Sequence, residues 1–405
     1  MKKVIVIFIS ALLLMSGCAP KMKEDQVVKN EKAKKETSIV PSYKLSNENY
    51  RMILPYKPSK ARGVIVDQLA NRMDIDEVEE GLRRHSKEYF DPESYYFQEG
   101  QYLDKDTVYN WLGRRLTKNQ LDKEASEQAS TLKKNGYTVN EEKIRSDLQQ
   151  GLNPAIADSS SKKQQEAHPR YLSHILEQNF LQKGEDGTTR LQGVSIALAM
   201  KSVYRYQTET GGPYKQRKIS VKEMEAQGQK IADTVVKRLR KMDGLQNVPI
   251  LVAIYREEEQ ESPVPGHFVQ KAFAEKGSAS LGKWKSIKEE YVLFPSSHAN
   301  DKYFDDAQVV KGFADEIAKY FPNYVGVIGK GFYINGEMKR LTLEIPLEFN
   351  GKGEVLGFSQ YAYGAAKEIL SGHYDLEIDI KSNSQMESLI YRDADEKDPT
   401  VHILH

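Results

Sequence analysis

Cysteine is nearly absent from this chain of 405 residues, in which Cys18 is the only one. A single cysteine excludes both an intrachain disulfide framework and a thiolate metal cluster. Excess charge is absent too, since 59 Lys and Arg residues stand against 58 Asp and Glu residues, and Lys2 and Lys3 would leave with a cleaved leader. Nucleic-acid-binding proteins usually carry a strong basic excess, so we expect no nucleic-acid partner.

Long hydrophobic runs are missing as well. The most apolar segment, Val4–Met15, is shorter than the roughly 20 residues that a transmembrane helix requires. It follows Lys2 and Lys3 and precedes small residues, which is the arrangement of a signal peptide. The sequence therefore predicts an exported protein without a membrane-spanning helix.

Met15-Ser16-Gly17-Cys18 resembles the lipobox of bacterial lipoproteins. In that class the cysteine thiol carries a diacylglyceryl group, a signal peptidase cleaves before the cysteine, and the freed amine is acylated. Two acyl chains, at about 0.8 kcal/mol per buried methylene, anchor a protein stably. We thus expect residues 1–17 to be the signal peptide, cleavage between Gly17 and Cys18, lipidation at Cys18, and a location on the extracytoplasmic face of the cell membrane. A plain secretory signal is the alternative.

The rest of the chain divides by composition. Residues 18–42 are charged and lack aromatic side chains, which predicts a flexible tether. The predicted fold class is α+β, with a helical N-terminal region followed by two αβ lobes with mixed or antiparallel sheets. The predicted segments are a mainly helical region at 43–180, a first lobe at 181–300, a second lobe at 301–381 and a C-terminal tail at 382–405.

Helical spacing of apolar residues predicts several helices in the N-terminal region, with further segments that start near Asp106 and Asn140. Two of the predicted helices matter most below. One follows Asp74, with Val78 and Leu82 on its apolar face, and ends before Asp91-Pro92. The second begins at Pro169 and continues to Phe180.

The order helix, strand, strand, helix, strand appears twice in the remaining sequence and predicts two related lobes. Alternation predicts a strand at Val194–Met200, Ser220 and Glu223 form a capping-box pattern for a helix, and Asn335-Gly336 predicts a hairpin. The other predicted elements are strands at Pro249–Tyr255, Gly266–Phe273 and Tyr374–Ile380, and helices from Asp305 and at Ser359–Leu370.

No catalytic motif is found, neither a phosphate-binding Gly-rich loop nor a His-Glu-x-x-His helix. His267, His298 and His373 fall in or beside the strand-rich part, but their spacing does not require a metal and favours structural histidines. Tyr204 and Tyr206 fit either a contact surface or core packing. We therefore predict no catalytic residue, no metal and no cofactor.

Five segments in this order behind the lipobox resemble the CamS family of Gram-positive lipoproteins: GLNPA, HPRYLSHILEQNF, LQGVSIALAMKSVY, VPILVAIY and PGHFVQKAF. The resemblance covers Tyr43 to Ile380. The family is named for a sex pheromone, because in its staphylococcal members a heptapeptide cut from the signal peptide just before the cysteine acts as a signal. The equivalent segment, Ala11–Gly17, keeps the leading alanine and the apolar middle and departs elsewhere. The resemblance implies a pheromone-precursor-like lipoprotein and assigns no role to the folded domain.

Three functions remain open. The first is a non-catalytic binding or interaction role, with a peptide, protein or cell-wall ligand. The second is a substrate-binding lipoprotein of an uptake system. The third is a cell-wall hydrolase that uses carboxylates such as Glu344, Glu348 or Asp375, which requires two of them about 5 to 9.5 Å apart.

Overall fold

The structure is a computed structural model that describes residues 26–30, 37–40, 49–185, 188–320, 326–348, 351–382 and 385–404. Gly17, Cys18 and the segment Ala11–Gly17 lie outside the described residues, so their predicted roles stay predictions. The described chain is a mixture of helices and mixed sheets, which confirms the predicted α+β class.

The described residues form ten helices, several of them begun by a side-chain cap. In chain order the helices are α1 (Val64–Gln68), α2 (Met73–Ser86), α3 (Lys105–Leu112), α4 (Lys118–Lys134), α5 (Glu141–Leu148), α6 (Lys162–Ala167), α7 (Val221–Leu239), α8 (Ser297–Lys302), α9 (Phe304–Tyr320) and α10 (Lys352–Ile369).

The strands lie in two large sheets and one small hairpin. They are β1 (Gln26–Asn30), β2 (Thr37–Val40), β3 (Arg51–Met52), β4 (Tyr96–Glu99), β5 (Leu172–Lys183), β6 (Thr188–Met200), β7 (Val203–Tyr206), β8 (Lys215–Lys218), β9 (Ile250–Arg256), β10 (His267–Ala274), β11 (Lys285–Ser286), β12 (Glu289–Phe294), β13 (Ile328–Ile334), β14 (Glu337–Pro346), β15 (Asp375–Ser382), β16 (Gln385–Arg392) and β17 (Thr400–Ile403).

Sheet 1 has helices on both faces. Its strand order is β11-β10-β9-β6-β5-β4-β3, with β6 and β9 parallel at the centre and joined through α7. Ile196 and Leu198 pack in the core that contains α7, while the alternate residues Ala197 and Ala199 pack in the core that contains α2. A sheet covered on both faces has strands that are buried at nearly every position, as β9 is. We call the residues 49–286 around this sheet lobe 1.

Sheet 2 is covered by helices on one face. Its strand order is β12-β13-β14-β15-β16-β17, with β14 and β15 parallel and joined by α10. Leu341 and Leu343 pack in one core with Phe313 of α9 and Phe358 of α10, while Thr342 between them is half-buried. This alternation is the pattern of a sheet with one covered face. We call the residues 289–404 around this sheet lobe 2.

The two sheets share one topology. In lobe 1, β4 leads through helices to the hairpin β5-β6, then through α7 to β9 and β10, and these strands stand in the order β4-β5-β6-β9-β10. In lobe 2, β12 leads through α8 and α9 to the hairpin β13-β14, then through α10 to β15 and β16, in the order β12-β13-β14-β15-β16. The pairing directions agree at each step. The repeated order of elements in the sequence is therefore a repeated topology.

The predicted helix from Pro169 to Phe180 is wrong, because this segment is strand β5. Its residues pair with β6 along their whole length and with β4 near their end. Since helices cover both faces of sheet 1, β5 is buried at almost every position and shows no alternation. The apolar residues therefore matched helical spacing by coincidence.

Other expectations agree with the structure. The predicted helices after Asp74 and Ser220 are α2 and α7, and the Ser220 Oγ accepts the N–H of Glu223 at 3.3 Å. The hairpin β13-β14 turns at Asn335 and Gly336, with φ of 55° and 86°. Both values lie in the left-handed region that a type I′ turn needs.

The predicted tether and tail contain strands. Within 18–42, β1 pairs with β2 and runs parallel to β6, so the described part of this segment is extended chain rather than coil. Within 382–405, β16 and β17 extend sheet 2 beyond β15. Pairing of edge strands depends on distant partners, which composition alone does not reveal. The predicted division of the chain into segments remains a prediction. In the structure the chain passes from sheet 1 to sheet 2 between Ser286 and Glu289.

Candidate functional site

A cavity of about 330 Å³ lies in lobe 1 between helices α1 and α2 and strand β5. Its wall is completed by Phe97 and Glu99 of β4 and by the loop before α1. It opens beside Val66, which is 56% exposed. We call this space the α2 cavity, since α2 contributes three of the charged side chains along it.

Helix α2 presents different residues to the core and to the cavity. Val78 and Leu82 are fully buried against sheet 1. Asp76, Glu79 and Arg83 line the cavity, and their spacing of three and four residues places them on one side of the helix. The apolar residues that fix α2 on the sheet therefore also orient these three charges.

The floor of the cavity is formed by five consecutive residues of β5, from His174 to Gln178. Burial lowers the pKa of His174 to about 3, so this imidazole is neutral. The Gln178 Nε2 donates to the carbonyl of Glu79 at 2.7 Å, which ties β5 to α2. The His174 Nδ1 and Gln178 Oε1 have no hydrogen-bond partner in the described chain and are closed to water.

Glu177 holds the wall segment that joins β4 to α3. Its buried carboxylate accepts the backbone N–H groups of Gln101, Tyr102 and Leu103 at 2.7 to 3.1 Å. Burial raises the pKa of Glu177, and these three donors oppose that rise. A Cβ on Gly100 would lie 2.7 Å from the Glu177 Cβ, so glycine permits this close approach. Glu177 is therefore a structural carboxylate.

Two guanidinium groups stand at the cavity. Arg62 donates to the Tyr56 hydroxyl at 2.9 Å, and that hydroxyl is hydrogen-bonded to Glu99. Arg83 lies 5.5 Å above the centre of the Phe97 ring. Among the residues that the structure describes, no carboxylate lies within 4 Å of either guanidinium group.

The two carboxylates that α2 contributes to the cavity, those of Asp76 and Glu79, are also without a cation partner in the described ranges. Desolvation raises the pKa of Glu79, the negative charges of Glu99 and Asp76 raise it further, and Arg83 and Arg62 lower it. All four neighbours therefore act on the Glu79 carboxylate. The cavity carries both signs of charge without internal ion pairs.

A second polar cluster joins the lobes. Arg84 of α2 donates to Glu77 at 2.6 Å and to Glu289 of β12 at 3.1 and 3.2 Å, and its guanidinium lies over the Phe332 ring. Tyr291 donates to Glu77. Burial raises the pKa of Glu289, but the neighbouring His85 and the charge of Arg84 outweigh it and hold that pKa at about 2. This cluster is internally paired, as expected of a structural contact.

The histidines singled out in the sequence do not converge. His267 begins β10, His298 pairs with Glu290 at 3.0 Å, and His373 is exposed beside Asp395. Within the described ranges, no group of three or more His, Cys, Asp or Glu side chains is arranged to hold a metal ion. Tyr204 is buried and hydrogen-bonded to Gln165, so it belongs to core packing.

The carboxylates considered for hydrolysis are also apart. Glu344 pairs with Lys381 at 2.7 Å and stands opposite Asp379. Asp375 lies four residues before Asp379 on β15, which places it about 13 Å along the strand from Glu344. This exceeds the largest spacing of a glycosidase pair, roughly 9.5 Å. Glu348 is exposed beyond the end of β14.

Sequence reasoning did not find the α2 cavity. One usable signal was present, the spacing of Asp76, Glu79 and Arg83 on the face of α2 opposite its apolar residues. The contributions of Arg62 and β5 were not accessible, because β5 was predicted as a helix and the segment before α1 has no periodicity.

The fold and cavity define a class of protein with two lobes of related topology and a small cavity between helices and sheet in the first lobe. The family profile described as "CamS sex pheromone cAM373 precursor" matches residues 56–398. The chain belongs to the CamS family of sex pheromone precursors, as the resemblance predicted.

Two solved structures are similar over most of the chain. The C-terminal domain of the sex pheromone staph-cAM373 precursor from Staphylococcus aureus is 33% identical with a TM-score of 0.70, covering 84% of this chain and 99% of its own. The sex pheromone precursor from Lactobacillus salivarius subsp. salivarius UCC118 is 26% identical with a TM-score of 0.77, covering 91% and 99%. No curated protein matches the chain. In the part of the chain that the structure describes, no helix has the length and apolar character needed to cross a membrane.

Proposed function

We propose that this chain is an extracytoplasmic lipoprotein, anchored to the cell membrane through lipids on Cys18, and that lobe 1 binds a small ligand in the α2 cavity without catalysing a reaction. Cleavage between Gly17 and Cys18 releases a leader that ends in Ala11–Gly17, the segment equivalent to the family's signalling peptide.

The lipobox and family membership support the anchor. Ser16 and Gly17 are small residues before Cys18, as a peptidase cleft requires, and the family consists of precursors from which a leader peptide is cut. The charged segment after Cys18 gives the folded lobes a connection to the membrane surface.

The observation that carries the binding role is the set of unpaired charges around one cavity. Asp76, Glu79, Arg62 and Arg83 line the same space without ion pairs in the described structure. Arg84, one residue further along α2, has two carboxylate partners instead. Unpaired charges that surround a cavity are groups available to a ligand.

Two features favour binding over catalysis. Burial is the single cause of the lowered pKa of His174, so no charged partner activates this imidazole as a base. The carboxylates considered for hydrolysis are distant or engaged with Lys381. The cavity also lies inside lobe 1 rather than between the lobes, where uptake receptors hold their substrates.

The anchor is tested by mass spectrometry of the native protein from membranes. We expect an N-terminal cysteine that carries a diacylglyceryl group and an acyl group, and we expect Cys18→Ala to leave the protein unlipidated and absent from washed membranes. Ser16→Ala, which keeps a small residue, is the matched control and retains lipidation. An unmodified thiol on the mature protein, or a processed Cys18→Ala protein that stays membrane-bound, would refute the anchor.

The binding role is tested without assuming a ligand. The soluble domain used for this test is the whole chain after Gly17 with Cys18→Ala, which keeps β1 on sheet 1. Crystals of it are soaked with a chemically varied fragment library. We expect the fragments to cluster in the α2 cavity. Fragments that cluster elsewhere and leave this cavity empty would contradict the proposed site.

A further inference from the structure

The charges of the α2 cavity stand in a fixed order along one helix, and this order specifies a ligand. Asp76 and Glu79 come first, and Arg83 follows one turn later. The second guanidinium group, that of Arg62, comes from the segment before α1. Glu99, a further carboxylate on the wall, already accepts hydrogen bonds from the Tyr56 hydroxyl and the Ser59 N–H. The cavity therefore offers the two carboxylates of α2 at one end and the two guanidinium groups on one side.

Both signs of charge point to a ligand that also carries both. A purely anionic ligand would place its charge beside Asp76 and Glu79, and a purely cationic ligand would meet Arg62 and Arg83. With an anionic ligand the two carboxylates would have no positive partner, and with a cationic ligand the two guanidinium groups would have no negative partner. A zwitterion satisfies all four groups, with its ammonium between the carboxylates and its carboxylate between the guanidinium groups.

The spacing along α2 sets the length of that zwitterion. Glu79 and Arg83 are four residues apart and Asp76 and Arg83 are seven apart, which corresponds to about 6 and 10 Å along the helix axis. An extended peptide spans roughly 3.3 to 3.6 Å per residue, so the termini of a di- or tripeptide match these distances. The charges of a single amino acid are too close together to reach both ends.

The rest of the cavity suits apolar side chains. Ile65, Ile75 and Leu176 lie along its wall, between the charged groups. The volume of about 330 Å³ is at the lower end for ligand sites, which span roughly 300 to 1,000 Å³. A long peptide is therefore not accommodated inside it.

We propose that the α2 cavity binds an apolar di- or tripeptide with both termini free, its ammonium group held by Asp76 and Glu79 and its carboxylate held by Arg62 and Arg83. This inference rests on the proposed binding function and specifies the ligand class of that same site.

The test compares four forms of one probe, Leu-Leu, by isothermal titration calorimetry on the soluble domain. The forms are the free dipeptide, its N-acetyl derivative, its C-terminal amide and the doubly blocked compound. We expect the free dipeptide to bind best, each single block to weaken binding about tenfold or more, and the doubly blocked form not to bind.

Two variants assign the termini. In Glu79→Gln, the free and N-acetylated forms should differ less in affinity than they do for the wild-type domain, because the ammonium has lost a partner. In Arg83→Gln, the free and amidated forms should differ less in affinity than they do for the wild-type domain, because the ligand carboxylate has lost a partner. Arg72→Gln, just before α2, and Glu80→Gln, on α2, remove the same kinds of charge outside the cavity. They serve as matched controls that leave all four affinities unchanged.

The outcomes separate this inference from the binding function. Equal affinity for the free and blocked forms, or no binding of Leu-Leu while fragments occupy the cavity in crystals, overturns the peptide assignment and leaves the binding site standing. An α2 cavity that takes neither fragments nor Leu-Leu overturns both.

Discussion

Lobe 1 and lobe 2 have the same strand order but differ in the number of layers. In lobe 2, helices α9 and α10 cover one face of the sheet, and the other face carries half-buried polar residues such as Thr342. In lobe 1, α7 covers one face and α1 and α2 cover the other. The α2 cavity lies under this additional layer. The cavity proposed for binding therefore lies where lobe 1 has helices on a second sheet face, a face on which lobe 2 has no helix of its own.

The additional layer also connects the lobes. Helix α2 packs on sheet 1 through Val78 and Leu82, lines the cavity through Asp76 and Glu79, and contacts lobe 2 through Arg84. Its three functions use different sides of one helix. Changes on each side should therefore have separable effects.

The largest expected effect comes from breaking the contact between the lobes. Arg84→Met leaves the buried carboxylates of Glu77 and Glu289 facing each other without a cation, which should lower the free energy of unfolding by about 3 to 5 kcal/mol. Urea unfolding followed by circular dichroism measures this change. Arg72→Met, at an exposed position before α2, is the control and should shift the free energy by less than about 0.5 kcal/mol. Equal effects of the two substitutions would show that the cluster does not stabilise the protein.

A slightly smaller effect should distinguish the covered and uncovered faces of the two sheets. Leu82→Ala removes a fully buried side chain between α2 and sheet 1 and should cost about 2 to 5 kcal/mol. Thr342→Ala, on the face of sheet 2 opposite α9 and α10, changes a half-buried side chain and should cost less than about 1 kcal/mol. Similar losses for both would mean that α2 is loosely packed and that the additional layer is not a rigid support for the cavity.

A pH-dependent difference should follow from Asp74 at the start of α2. This carboxyl accepts hydrogen bonds from the Tyr255 hydroxyl and the Gly266 N–H, both at 2.7 Å, and burial raises its pKa from 3.8 to about 7. A raised carboxyl pKa means that the folded state binds the proton more tightly than the unfolded state. The contribution of Asp74 to stability therefore grows as the pH falls from 8 through 7 toward 4.

Asp74→Asn removes this titration and keeps the accepting oxygen. We expect the variant to be more stable than the wild-type protein at pH 8, by about 1 to 3 kcal/mol, with a difference that narrows by pH 5.5. Urea unfolding curves of both proteins at both pH values measure their free energies of unfolding. Taking the variant minus the wild-type value at each pH removes the contribution of groups that titrate equally in both proteins. A pH-independent difference would show that Asp74 keeps an ordinary pKa.

The two lobes also show which features a sequence reveals. Elements with a local sequence pattern were predicted well. Helix α2 followed from the helical spacing of Val78 and Leu82, and the hairpin β13-β14 followed from Asn335-Gly336. Strand β5 was predicted wrongly because cover on both faces removes alternation. The cavity was missed for a related reason, since its wall joins residues about 100 positions apart, as in the bond from Gln178 to Glu79.

The smallest predicted effect concerns the two helices that occupy the same place in the repeated topology, α7 and α10. The Ser220 side chain caps α7, whereas Gly351 precedes α10 and provides no side-chain cap. Ser220→Ala should therefore lower the free energy of unfolding by about 1 kcal/mol. Gly351→Ser should raise it by a few tenths of a kcal/mol, roughly the measured difference between Ser and Gly caps, because its extended backbone suits a capping residue and a Cβ there meets no atom within 4 Å. Thermal unfolding of both variants and the wild-type protein measures the two changes in stability. A loss of stability in Gly351→Ser would show that α10 needs glycine for its entry into the helix, and that the two crossover helices begin differently despite their shared topology.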